Sequence, residues 1–375
     1  MTIRILHVVS SLVVNSGVMS VIMNYYRHIN KNLIQFDFLY FESAEDACVE
    51  EIKKLGGNVY YVSKPSLKAI WGNYKEFKKF FENNASKYAA IHLHEVYLVH
   101  LFQYFEQKYG IKRLITHAHT TKYSDDYLRA IRNRLMCIGL KRCATDYFAC
   151  SEAAGEFYYG KEAVACGRVK IIKNAIDIEK YKFNEKIRNK VRKELNIQRK
   201  FVVGHIGRMM PQKNQIFLLE VFKKVRKFEP DAVLLMIGDG PLKPKLENKI
   251  DELKLKESIV LLGIRRDVPD ILMAMDIFLL PSLYEGLGVV AIEAQTTGLP
   301  CVLSDVVTRE VNLGNCSFIS LNETVDKWAT RILDIRKGHI RRKGMIKEAK
   351  EFGYDIRSEV QAIETLYLNC KRVSL

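Results

Sequence analysis

Short apolar runs alternate with longer stretches whose apolar residues recur every three or four positions, and this rhythm extends over most of the chain. The short runs predict strands and the long ones amphipathic helices. Ile3–Val9, Phe36–Phe41, Val59–Val62, Ala90–Leu93, Leu114–His117 and Tyr147–Cys150 read as strands. Val18–Ile29, Ala47–Leu55 and the region around Ile70–Asn83 read as helices. Strands that are apolar throughout and separated by helices predict a parallel sheet covered on both faces.

The rhythm breaks near Asn174-Ala175-Ile176-Asp177. The charged stretch from Lys180 to Glu194 reads as a solvated connector with a short helix. The pattern then restarts, with strands at Phe201–Ile206, Ala232–Ile237, Ile259–Leu262, Ile277–Leu280 and Pro300–Leu303. Helices are predicted at Gln215–Lys227, Pro269–Ala274 and Thr324–Lys337, with Gly298 closing the one before Pro300. A last amphipathic stretch, Asp355 to Tyr367, predicts a helix that packs back on the first domain. A chain of 375 residues is long for one domain and suits two. The expected architecture is α/β, with two facing Rossmann-like, doubly wound domains and a cleft between them. The first spans 1–178 together with the helix 355–375, and the second spans 179–354. Ligands of such sheets lie beyond the carboxyl ends of the strands.

The net charge of +16 favours anionic partners without choosing among nucleic acid, lipid and phosphorylated substrates. Eight cysteines show no CxxC spacing, so neither a zinc site nor a redox motif is indicated, and reduced thiols in the cytoplasm are expected. No run approaches the ~20 apolar residues that span a bilayer. The stretch Tyr127–Cys143 is basic and amphipathic, with Arg129, Arg132, Arg134, Lys141 and Arg142 among Leu128, Ile131, Leu135 and Ile138. It fits either an anionic lipid surface or an ordinary half-buried helix. Lys75, Lys78 and Lys79 among Phe77, Phe80 and Phe81 repeat that pattern.

Chemistry concentrates after the strands of the second domain. In Pro281-Ser282-Leu283-Tyr284-Glu285-Gly286-Leu287-Gly288-Val289 a strand ends at a turn, then come a carboxylate, two glycines and a helix carrying Glu293. Glycines let backbone N–H groups approach a ligand, and a helix start favours an anion. Carboxylates accept hydrogen bonds from hydroxyls, so anion and polyol together point to a sugar nucleotide. Gly207-Arg208…Lys213 adds two cations at a strand–helix turn, suited to a diphosphate. Gly238-Asp239-Gly240 reads as a strand–helix turn. The backbone of Gly263–Val268 suits a nucleobase edge, with Arg265 beside it and Asp267 placed to cap the next helix. In the first domain, His92, His94, His117 and His119 close two predicted strands. They serve as hydrogen-bonding groups or, given a further ligand that no spacing supplies, as metal ligands.

These residues resemble the family 4 retaining glycosyltransferases of the GT-B fold, in the branch serving bacterial capsule and exopolysaccharide assembly. The likeness rests on Gly207-Arg208…Gln212-Lys213-Asn214, Gly238-Asp239-Gly240, Gly263…Asp267-Val268 and Pro281-Ser282…Glu285-Gly286…Glu293-Ala294. Cys150-Ser151, Asn174-Ala175-Ile176-Asp177 and Asn24-Tyr25-Tyr26-Arg27 also fit. The resemblance implies that Glu293 holds the donor ribose, Glu285 the transferred sugar, and Arg208 and Lys213 the leaving diphosphate. It assigns backbone N–H groups of Gly286, Leu287, Gly288 and Val289 to phosphate and sugar, and brings Gly207 and Arg265 to the nucleotide. Gly17 falls under the diphosphate and His119, with His117 as the alternative, near the donor sugar. The first loop departs from the family pattern, with Ser16-Gly17-Val18-Met19 where a glycine pair and a glutamate are usual. The co-substrate is then a nucleotide-diphosphate sugar, with UDP favoured, and no metal or other cofactor is expected. The acceptor is a saccharide, free or on a lipid diphosphate, met in the cytoplasm in peripheral contact with an anionic membrane. A sugar-nucleotide epimerase of similar architecture is the competing reading. A basic nucleic-acid-binding protein is a distant one, since no recognition module is present.

Overall fold

The computed structural model describes residues 2–13, 17–43, 47–64, 70–124, 126–338 and 342–370. The chain divides into two compact units, 1–175 with 356–375, and 176–355.

The first unit is a seven-stranded parallel sheet: β1 (Ile3–Ser11), β2 (Ile34–Glu42), β3 (Val59–Tyr61), β4 (Tyr88–Leu93), β5 (Leu114–Ala118), β6 (Asp146–Ala149) and β7 (Val169–Ile171). Alternate side chains face opposite ways. Leu6 and Val8, with Leu39, Phe41, Ile91 and Leu93, enter a core with Phe77, Phe81, Phe102 and Phe105. His7 points to the other face, its ring 4.2 Å from that of Phe36. The helix Ile356–Asn369 covers this face, and the Tyr367 ring packs on Phe36 and His92. The predicted return of the last helix to the first domain is therefore observed.

The second unit has six parallel strands: β8 (Val202–Ile206), β9 (Val233–Ile237), β10 (Ile259–Leu261), β11 (Ile277–Leu280), β12 (Cys301–Ser304) and β13 (Cys316–Ile319). Val233, Leu235 and Ile237 enter one core, and Leu234 and Met236 the other. This two-sided burial explains why β9 reads as an unbroken apolar run.

Three expectations need correction. The charged stretch before β8 is not merely solvated. Its helix, Glu185–Glu194, uses Arg188 and Arg192 to grip the two carboxylate oxygens of Asp276 at 2.6 Å each, and Arg192 is buried. Tyr127–Cys143 is not one helix. It breaks between Tyr127–Met136 and Leu140–Cys143, where Gly139 takes a left-handed φ of +79°. Asp267 precedes the helix Val268–Ala274 but makes no side-chain cap, because its carboxylate is bound to Arg265 at 2.7 Å. All eight cysteines are unbridged. Among the described residues no helix is long and apolar enough to cross a membrane.

Candidate active site

In the second unit the strand order is β10-β9-β8-β11-β12-β13, so the winding reverses between β8 and β11. Doubly wound sheets bind ligands in the crevice outside the strand ends at such a point. The loops leaving these two strands, 207–214 and 281–288, carry most of the residues predicted from sequence. They are joined to each other. The Leu283 N–H donates to the Gln212 carbonyl at 2.8 Å, and the Gln212 side-chain amide donates to the Tyr284 carbonyl at 3.1 Å.

Glu285 is buried at this junction. Its Oε1 accepts from Lys213 Nζ and from Ser282 Oγ, both at 2.6 Å, and its Oε2 faces Gln212 Nε2 at 3.4 Å. A carboxylate withdrawn from water needs such donors. Gly207 sets where the lysine runs. A Cβ there would stand 3.0–3.1 Å from three carbons of the Lys213 side chain, so the lysine stem lies against bare backbone. Arg208 is exposed beside it. Gly238 has a φ of +128°, and a Cβ on it would meet the Gly207 carbonyl oxygen at 2.2 Å. The Gly238-Asp239-Gly240 turn thus props the 207–209 loop, with the Met209 N–H donating to the Asp239 carbonyl at 2.9 Å.

Glu293 sits on the helix Val289–Thr296, which starts from Gly288 in the left-handed region. Its Oε1 accepts from the Tyr181 hydroxyl at 2.8 Å. Burial raises its pKa above the usual carboxylate value, and the tyrosine bond opposes that shift. The Leu287 side chain belongs to the core, so this residue offers only its backbone to a ligand. Arg265 is committed to Asp267.

The first unit has the order β3-β2-β1-β4-β5-β6-β7, and its winding reverses between β1 and β4. Here five imidazoles meet. His7 Nδ1 lies 3.0 Å from His94 Nε2, and His94 Nδ1 lies 2.7 Å from His119 Nε2. Alongside, His92 joins the Tyr367 hydroxyl at 2.6 Å and His117 Nδ1 at 3.1 Å. The Nε2 atoms of His7 and His117 are buried with no hydrogen-bond partner. Burial, reinforced by neighbouring imidazoles, lowers the pKa of His7 to about 3 and holds those of His92, His94 and His117 well below the usual value. Burial also lowers that of His119. The cluster is therefore neutral at pH 7. By distance alone, His7, His92 and His94, or His94, His117 and His119, could hold a metal ion. His117 is interior, whereas His119 is partly exposed. Gly17 opens the helix Gly17–His28. Ser16 and the preceding loop positions 14 and 15 lie outside the described residues.

Comparison with known proteins fits this arrangement. Residues 200–337, which contain both loops of the second unit, match the family described as Glycosyl transferases group 1. EpsF of Bacillus subtilis (strain 168), a glycosyltransferase by name, is 30% identical over 372 residues, covering 97% of this chain and 96% of EpsF. The chain belongs to the family 4 glycosyltransferases. A UDP-Gal:alpha-D-GlcNAc-diphosphoundecaprenol alpha-1,3-galactosyltransferase of Escherichia coli is 28% identical over 320 residues, 81% of this chain and 79% of that enzyme. The crystal structure of Anabaena HepE with UDP and glucose superposes with a TM-score of 0.79 at 20% identity, covering 98% of this chain and 100% of HepE. That likeness establishes the GT-B fold.

Within this glycosyltransferase, sequence reasoning gave no role to Gln212, Ser282 or Tyr181, the groups that hold Glu285 and Glu293. Ser282 and Gln212 lay inside quoted motifs, but only their register against Glu285 shows what they do. His7 and Tyr367 were missed altogether. Their signal needs the topology, because only strand pairing sets His7 opposite His92.

Proposed function

We propose that this glycosyltransferase moves a hexosyl unit, with retention, from a nucleotide-diphosphate sugar to a saccharide carried on a lipid diphosphate. The setting is capsule or exopolysaccharide assembly in the cytoplasm, at the inner face of the cell membrane. The observation that carries the reading is the buried Lys213–Glu285 pair at the winding reversal of the second unit. UDP as the nucleotide and a lipid-linked acceptor are supported by the relative named for both and by the UDP in HepE.

Breaking the anomeric C–O bond releases negative charge onto the diphosphate. Lys213 gives one N–H to Glu285 and has two more for phosphate oxygens. Arg208 adds a planar fork of donors. Losing one such preorganised donor typically costs about 3–4 kcal/mol, or roughly 100–1,000-fold in rate. Glu285 receives sugar hydroxyls, Glu293 the ribose, and backbone N–H groups of Gly286, Leu287, Gly288 and Val289 the phosphate and sugar. Gly207 and Gly17 allow close approach of backbone to diphosphate, and Arg265 flanks the nucleotide. His119, uncharged at pH 7, meets the donor sugar as a hydrogen-bonding group. The departing phosphate takes the acceptor hydroxyl proton on the same face, so no protein nucleophile is needed. The two cations neutralise the diphosphate without a divalent metal.

The test is a thermal-shift series with UDP, GDP, ADP and their sugars, followed by turnover in EDTA. UDP and a UDP-sugar should raise Tm most, Arg208→Ala should chiefly lower kcat, and activity should survive chelation. Absence of any nucleotide shift, or a strict divalent-ion requirement, would overturn the reading. Incubating donor without acceptor separates transfer from epimerisation: a 2-epimerised nucleotide sugar would favour the epimerase.

A further inference from the structure

Strand pairing brings the imidazoles of the first unit together. His7 stands opposite His92 across β1 and β4, and Leu93 opposite Thr116 across β4 and β5. Residues two apart along a strand share a face, so His94 follows His92 and His119 follows His117. One nitrogen from each of His94, His117 and His119 lies within 4.8 Å of the other two. The directions of the surrounding hydrogen bonds decide what that spot offers. A neutral imidazole has one N–H and one lone pair. When His94 donates from Nε2 to His7 and His117 donates from Nδ1 to His92, His94 Nδ1 and His117 Nε2 are both bare lone pairs. The first faces His119 Nε2 at 2.7 Å, and the second is buried with no hydrogen-bond partner among the described residues. The reverse directions leave a buried N–H on His117 Nε2 instead, and no acceptor among the described residues meets it. Metal-binding histidines characteristically donate their second N–H to a neighbour, which fixes the ring. His7 and His92 stand in that place, and His92 is itself held by the Tyr367 hydroxyl at 2.6 Å.

We propose that His94, His117 and His119 bind a transition-metal ion of the zinc class, through the ring nitrogens that His7 and His92 leave free. Three imidazoles suit Zn2+, Cu2+ or Ni2+ and not the oxygen-seeking Mg2+ or Ca2+. Zinc–nitrogen bonds of about 2.0–2.1 Å set tetrahedral ligands roughly 3.3 Å apart, so His94 and His119 part slightly to admit the ion. His119, partly exposed, gives it a way in. The other triad within reach, His7, His92 and His94, uses up the bonds that orient the rings and leaves the His117 nitrogen unmet. The ion does not serve the diphosphate, which falls to the cations of the second unit. On the transferase reading above, His119 turns to the donor sugar, so a metal that takes this imidazole inhibits transfer.

Binding is measured on the full chain without donor or acceptor, so it stands or falls apart from that reading. Calorimetric titration of chelator-treated protein should show Zn2+ bound at least about 100-fold tighter than Mg2+. Co2+ in its place should give the strong visible absorption of a tetrahedral ion, with no sulfur charge-transfer band. His94→Gln and His117→Gln should each weaken zinc binding at least about 100-fold, and His92→Gln, which removes only the acceptor behind His117, about 10–100-fold. His119→Gln, at a partly exposed position, gives the same ligand loss where a buried substitution fails to fold, and the metal-free Tm of each variant checks folding. In turnover assays Zn2+ should depress transfer and EDTA restore it. No zinc uptake by the unaltered chain, an octahedral or sulfur-ligated cobalt spectrum, or full binding by His119→Gln would overturn the site. Zinc bound there with turnover unchanged would uphold the site and remove His119 from the donor sugar.

Discussion

Between β1 and β4 of the first unit, five imidazoles hold one another in an uncharged network, whereas between β8 and β11 of the second, Lys213 is locked onto Glu285. Both places are winding reversals of parallel sheets with the same strand order through their first six strands. The fold fixes where a ligand can sit, and the side chains on the strands and the loops that leave them decide what chemistry it meets. In the proposed reaction the charged set meets the charge released onto the diphosphate, and the neutral set orients hydroxyl groups.

The sharpest way to break this contrast is Glu285→Ala, which should lower transfer by at least about 1,000-fold while UDP still raises Tm. Near-normal turnover would remove Glu285 from the chemistry. Next is Lys213→Ala, expected to reduce kcat about 100–1,000-fold and, by leaving Glu285 buried without its cation, to destabilise the protein by about 3–5 kcal/mol. Pairing Lys213→Met with Glu285→Leu should restore most of the stability and none of the activity, since a buried ion pair can give way to packed apolar groups at little cost. If stability and activity returned together, the pair would be structural only.

The first unit should answer to pH instead. Its imidazoles have lowered pKa values in the fold, while in the unfolded chain they take up protons near pH 6.5. The unfolded state then binds more protons, so stability falls as pH drops below about 6.5, by up to about 1.4 kcal/mol per histidine per pH unit. Urea titrations from neutral to acidic pH should show this slope, and His117→Gln should flatten it. A flat profile would mean that the imidazoles accept protons in place. The smallest effect belongs to Glu293→Gln, which should raise the donor KM about tenfold with little change in kcat, as loss of uniform binding does. A fall confined to kcat would move Glu293 from nucleotide binding to the chemistry.

Much of this was legible beforehand. Strand runs such as Ile277–Leu280 are apolar on both faces, and the glycine-bearing turns after them mark strand ends, so fold and loops followed from local pattern. β7 and β13 were not anticipated, because Val169–Ile171 and Cys316–Ile319 are short and only partly buried at sheet edges. The grip of Arg188 and Arg192 on Asp276 was hidden as well, since a charge run looks the same whether it is solvated or paired. The same ambiguity covered Tyr127–Cys143 and Ile70–Asn84. Periodicity shows which residues share a side of a helix, and only tertiary structure shows what that side faces.

Tyr367 closes over His92 from a helix that the chain reaches only after the whole second unit. During synthesis, residues 1–175 of the first unit therefore keep this aromatic and imidazole surface uncovered until residues 356–369 are available. A nascent chain stopped before them would carry an intact second unit and an unfinished first one, a natural substrate for chaperones and proteases.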